Sequence, residues 1–185
     1  MAREHNGVIA NDKGSLYRFD NDQTVERMLS PVSISNGLAW NSNNTIFYYI
    51  DSPTKVVFAF DYDIASGNIA NKRVVFNFTD NKIDGVPDGM TIDANDNLWI
   101  AVHDGAVVLN VDTKTGELIH KIELPATKLT SVAFGGPDLD VLYVTSAYGG
   151  LNAIERQNKP DSGCVFTIEG LGVRGVQSDD CVLRM

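Results

Sequence analysis

Two short stretches of the chain each set a side-chain oxygen directly before a glycine and a short apolar run: SNGLAW at 35–40 and PDGMTI at 87–92. Asn36 offers an amide oxygen and Asp88 a carboxylate. Converging on one point, two such oxygens form part of a hard-cation site, since calcium takes several oxygen ligands of mixed type. Zinc, manganese and magnesium enter comparable sites with waters completing the shell. A cation there would polarise a carbonyl and acidify an attacking water. Taken singly, each pair reads equally well as a β-turn, because Asn-Gly and Asp-Gly are common hairpin signals.

Whether the two oxygens converge depends on the elements that carry them. No long segment shows the apolar rhythm of a helix. Short apolar runs bounded by Gly, Asp, Asn and Pro recur instead, the pattern of an all-β chain. Strands are expected at 15–19, 37–40, 46–50, 56–62, 73–78, 90–93, 98–102, 106–111, 118–124, 132–134, 142–145 and 164–168. The runs also repeat. NGLAW…TIFYYID (36–51), DGMTI…NLWIAVH (88–103) and TSVAF…DVLYVTS (130–146) share one plan. A polar and a small residue open a strand, a turn follows, and an apolar strand with an aromatic comes next. Asn36 and Asp88 lie 52 residues apart, and Thr130 follows 42 later. Periods of about 40–50 residues with four strands each mark the blades of a β-propeller. Residues at one phase of a propeller share a radius and a height about its axis, so Asn36, Asp88 and Thr130 are expected to face one channel.

Other chemistry is excluded by composition or by a broken motif. The chain carries 24 acidic against 15 basic residues, a net charge of −9. Non-specific binding to nucleic acid needs clustered Lys and Arg instead. No run approaches the roughly 18 apolar residues of a membrane span, so neither nucleic acid nor membrane is expected as a partner. Cys164 and Cys181 make no disulfide framework and are expected as reduced thiols of a cytoplasmic protein. DANDNLWIAVHD at 93–104 has the oxygen spacing of a calcium loop. Its sixth residue is Leu98 rather than Gly and its twelfth Asp104 rather than Glu, so a tight hairpin turn is expected. His5, His103 and His120 show no ligand spacing, although Asp104 could orient His103. No Gly-x-Ser-x-Gly elbow or phosphate loop is present. GLGVRG at 170–175 reads as a turn and closing strand.

At ISNGLAW, FYYIDS, AFDYDIASGNI, VPDGMTIDANDNLWIA, FGGPDLDVLYVTSA and IEGLGVRGV the chain resembles the regucalcin, or gluconolactonase and luciferin-regenerating enzyme, family. The motifs run in order from about residue 1 to 175. The resemblance implies a six-bladed β-propeller with a divalent cation in its channel, and hydrolysis of sugar lactones such as gluconolactone. It places metal ligation on Asn36 and on Asp88, with Asp88 also as the base. It places contact with the sugar hydroxyls on Glu4, although the loop after Glu4 departs from the family pattern in length.

Two parts of the family pattern have no counterpart: a third metal ligand, a glutamate in an N-terminal motif, and an Arg and Asn of a substrate loop. The chain therefore resembles the C-terminal part of such a protein. It is expected as a single incomplete propeller domain over 1–185, about four blades, with N-terminal blades absent. Impaired metal binding and turnover are then expected. So is association through the exposed apolar faces of SLYRF at 15–19 and CVFTI at 164–168. The alternative is a non-catalytic calcium-binding or interaction propeller, since the fold alone does not imply catalysis.

Overall fold

A computed structural model describes the backbone of residues 4–5 and 8–9 and all atoms of residues 10–178. The chain is all-β and runs as consecutive antiparallel sheets. A two-stranded sheet holds β1 (Glu4–His5) and β2 (Val8–Ile9), and a second holds β3 (Gly14–Phe19) and β4 (Val25–Val32). A four-stranded meander follows, β5 (Ser35–Trp40), β6 (Ile46–Asp51), β7 (Val56–Asp63) and β8 (Asn68–Asn77). The next is β9 (Val86–Ile92), β10 (Leu98–His103), β11 (Val107–Val111) and β12 (Leu118–Glu123). The last sheet is β13 (Lys128–Gly135), β14 (Val141–Ala147) and β15 (Val165–Ile168), with one helix, α1 (Ala153–Asn158), between its second and third strands.

Neighbouring sheets stack face to face, and an apolar core fills each joint. Ile50, Val57, Phe76, Met90, Ile100 and Val102 meet between the two four-stranded sheets. Trp99, Ala101, Leu129, Val132, Leu142 and Val144 fill the joint to the last sheet. β10 and β11 are packed on both faces, so LWIAV and VVLNV must be apolar at nearly every position, and all of these residues are buried. The first strands of successive sheets also touch one another, β3 with β5, β5 with β9 and β9 with β13. This gathers the openings of the three sequence repeats along one line.

Small residues make that approach possible. A Cβ at Gly37 would lie 2.5 Å from Met90 Cβ and 3.0 Å from the Asp88 carbonyl oxygen. One at Gly89 would lie 2.4 Å from Ser131 Oγ. Gly37, Gly89 and Ser131 hold one phase of the repeat and form the contact line between first strands.

The hairpin turn expected at 93–97 is present. Asp93 is fully buried and accepts from the backbone N–H groups of Asn95 (2.9 Å) and Asn97 (3.0 Å) and from Trp99 Nε1 (2.9 Å). Asn41 plays the same part in the preceding repeat, its Oδ1 accepting from Thr45 N and Ile46 N.

Several sequence expectations are corrected. Asn36-Gly37 and Asp88-Gly89 are not turns ahead of strands but lie inside β5 and β9. β4 was not expected, because its sequence VERMLSPV is polar and holds Pro31; as the outer strand of a two-stranded sheet it tolerates both. β8 begins at Asn68 rather than 73. No closing strand forms at 170–175, where Gly175 makes a single bridge to Asp93.

Candidate functional site

The site begins with a shared backbone irregularity. In β5, Ser35 pairs with Asp51 and Leu38 with Tyr49, so Asn36 and Gly37 together stand opposite Ile50. In β9, Pro87 pairs with Val102 and Met90 with Ile100, so Asp88 and Gly89 stand opposite Ala101. In β13, Leu129 pairs with Ser146 and Ser131 with Thr145, which leaves Thr130 over. Each repeat thus carries a β-bulge at the same phase. A bulge adds one residue outside the ladder and re-aims its side chain.

Hydrogen bonds hold the bulges in place. The buried Asp51 carboxylate accepts from Ser33 N (3.0 Å) and Ile34 N (2.8 Å), fixing how the chain enters β5. Asn36 Nδ2 donates to Ser52 Oγ at 3.1 Å, which leaves Oδ1 as the acceptor of that amide. Thr130 Oγ1 and Thr145 Oγ1 share a hydrogen bond of 2.8 Å.

Asp88 is half-buried, and its burial pushes the carboxyl above its ordinary pKa. The Asn36 amide, the charge of His103 and the Gly89 N–H all pull the other way. Asn36 and His103 therefore both lie close enough to Asp88 to act on its charge. His103 Nδ1 is itself 3.1 Å from Asp104 Oδ2. The structure brings together Asn36 and Asp88, on neighbouring sheets, as their shared phase led one to expect. Glu4 lies on β1 opposite Ile9, but its side chain is outside the described residues.

Ser52 and the approach of His103 were missed by the sequence reading, although a signal existed. Asp51-Ser52 and His103-Asp104 are separated by the same 52 residues as Asn36 and Asp88. Each pair ends the second strand of its sheet, beside the bulge of the first.

The donor chemistry suits a divalent cation. The Asn36 amide and the half-buried Asp88 carboxylate meet from two neighbouring sheets, and a desolvated carboxylate gains from a nearby positive charge. Among the described residues no three His, Cys, Asp or Glu side chains gather as a ligand set.

A sequence profile described as the SMP-30/Gluconolactonase/LRE-like region matches residues 1–148. The chain belongs to this family. Regucalcin of Danio rerio is 44% identical over 162 residues, which are 88% of this chain and 54% of that protein. A solved luciferin-regenerating enzyme superposes with a TM-score of 0.85 at 40% identity, over 91% of this chain and 55% of the other. A regucalcin from Agrobacterium tumefaciens, described as a calcium-binding protein, gives 0.82 at 28% identity, over 90% and 55%. The chain thus spans about half the length of the relatives it matches. No helix among the described residues is long and apolar enough to cross a membrane.

Proposed function

We propose that the chain carries the cation-holding part of a sugar-lactone hydrolase built as a six-bladed propeller, of which its sheets are about four blades. Asn36 and Asp88 would hold the divalent cation (calcium, zinc, manganese or magnesium), whose chemistry when bound is to polarise a lactone carbonyl. Asp88 is assigned to take the proton from the attacking water. As the ring C–O bond breaks, that proton passes to the departing alkoxide, and the product is the open hydroxy acid. Ser52 Oγ accepts from Asn36 Nδ2 and so restrains the amide beside Asp88. Glu4 is assigned to the sugar hydroxyls. The carrying observation is the approach of Asn36 to a desolvated Asp88 across the joint of two sheets.

A second reading, a calcium-binding propeller without catalysis, is favoured by the calcium-binding description of the Agrobacterium relative. One experiment separates the two. Calorimetric titration with calcium, zinc and manganese is run beside gluconolactone hydrolysis, for a form extended to the relatives' full length and for its Asp88→Ala variant. Cation binding and turnover that are both lost in Asp88→Ala support the lactonase. Binding without turnover supports the second reading, and a variant indistinguishable from the parent overturns both.

A further inference from the structure

Along β5 the side chains alternate between two joints. Gly37 and Ala39 are buried toward the following sheet, while Leu38 and Trp40 face the preceding one and remain 44% and 39% exposed. In the later repeats the same phase is closed. Met90 and Ile92, 52 residues on, are 7% and 8% exposed, and Val132 is 4% exposed. Gly37 of the preceding sheet lies on Met90, so close that an added Cβ would stand 2.5 Å from Met90 Cβ. Val132 is packed with Trp99 and Ala101 of the sheet before it. The joint between the first and second of these sheets is filled instead around Val32, Phe47, Tyr49 and Phe60. That leaves a groove with Leu16, Tyr17 and Met28 on one wall and Leu38 and Trp40 on the other. Phe47 and Tyr62 brace the Trp40 ring at centroid distances of 4.9 and 5.9 Å.

The groove also offers a backbone edge. Among the described residues β3 pairs with β4 alone, so its other side carries N–H and C=O groups outside any ladder. β3 holds no proline, and its one charge is drawn away from that edge. Arg18 donates to Asp20 (2.7 Å), to Glu26 (2.6 Å) and, on the next sheet, to Asn68 (2.9 Å). The last bond spans the joint and holds the two walls at a set spacing. We propose that this groove docks an extended strand of another polypeptide, which adds to the open edge of β3 and lays a glycine or serine over Leu38. Strand addition draws affinity from main-chain hydrogen bonds and specificity from the pockets beneath alternate side chains. The small residue follows from the joints already described, where Gly37 meets Met90 and Gly89 meets Ser131, because the groove continues the same row of strands. The inference stands apart from the cation site.

The test titrates a synthetic peptide of residues 85–94, GVPDGMTIDA, a strand of this type, into the 185-residue chain. The chain has two tryptophans and Trp99 is 1% exposed, so a fluorescence change reports Trp40. A saturable blue shift is expected as Trp40 leaves water. The peptide carrying Gly89→Val is expected to bind about tenfold more weakly, because the added side chain overpacks the joint. The chain carrying Leu38→Lys is expected to lose about the same factor, at a half-exposed position where the fold tolerates the change. Circular dichroism checks that this variant folds. The competing occupant is a second copy of the chain, which sedimentation velocity detects. A dimer that Leu38→Lys dissociates and that excludes the peptide overturns the proposal. So does the absence of a shift, or binding indifferent to both Gly89→Val and Leu38→Lys.

Discussion

Asp88 is a carboxylate kept from water in a position that packing alone does not require. Its folded pKa is raised, so its neutral form is favoured in the fold. The sign follows directly. Asp88 adds stability below its unfolded pKa, and that contribution is lost as pH rises through the folded value. In the absence of divalent cation, Asp88→Asn is therefore expected to raise Tm at neutral pH by a few degrees, about what 1 kcal/mol gives in a domain of this size. The gain should vanish in acid, and thermal melts across the pH range in a chelator check it. Asp93 is a buried carboxylate with three donors upon it. Asp93→Ala orphans the Trp99 indole N–H and opens the turn. It is expected to cost about 2–4 kcal/mol, for lost bonds to a charged group and a donor left unsatisfied, read by urea denaturation.

At the scale of elements, the contact line of first strands sets what the site tolerates. A Cβ at Gly89 would sit 2.8 Å from Ser131 Cα, a backbone atom that cannot swing aside. Gly89→Ala is expected to destabilise by about 1–3 kcal/mol through forced separation of β9 from β13. It should also weaken cation binding more than Gly149→Ala, since a Cβ at Gly149 meets nothing within 4 Å. Paired denaturation and calorimetric measurements on the two variants check this. Much of the element level was legible in the sequence. The period of the apolar runs located β6, β10 and β11, which are buried at nearly every position and have little compositional freedom, and β7 and β14, which bury alternate positions. The phase of Asn36 and Asp88 predicted their meeting. What escaped was set by pairing rather than by composition. A bulge is defined by the partner strand, so Asn36-Gly37 has the same letters whether it turns or bulges. β4 and the first half of β8 are exposed and polar, and only their hydrogen-bonded neighbours make them strands. Helix α1 carries a capping-box signal in Asn152 and Glu155, but at six residues with none buried it has no apolar rhythm to betray it.

For the whole molecule, the two outer sheets of the described structure present apolar side chains. Tyr17, Phe19 and Val25 are 59%, 55% and 62% exposed on β3 and β4, and Tyr143 and Val165 are 40% and 61% exposed on β14 and β15. Cross-strand pairing joins Phe19 to Val25, so that pair is a patch rather than scattered residues. The 185-residue chain is therefore expected to associate as concentration rises, and Val165→Lys with Phe19→Lys to reduce that association. Sedimentation velocity over a concentration series reads it. Cation binding should also register globally. At a free concentration of 100 times the dissociation constant, linkage adds about 2.7 kcal/mol to the folded state. The parent is expected to melt higher in zinc or calcium, and Asp88→Ala to melt at the same temperature with and without them.

The repeated bulge has a bearing on how such a protein changes over generations. A residue outside the ladder is not tied to a cross-strand partner, while the small residue beside it keeps the sheets at their spacing. The three repeats illustrate the division of labour: the slot holds Asn36, Asp88 and Thr130, and the spacer holds Gly37, Gly89 and Ser131. Selection can then rewrite the slot, amide to carboxylate to hydroxyl, with little change to the buried strands behind it. The slot becomes an exchangeable part on a fixed frame, and its chemistry can change without first inventing a new core.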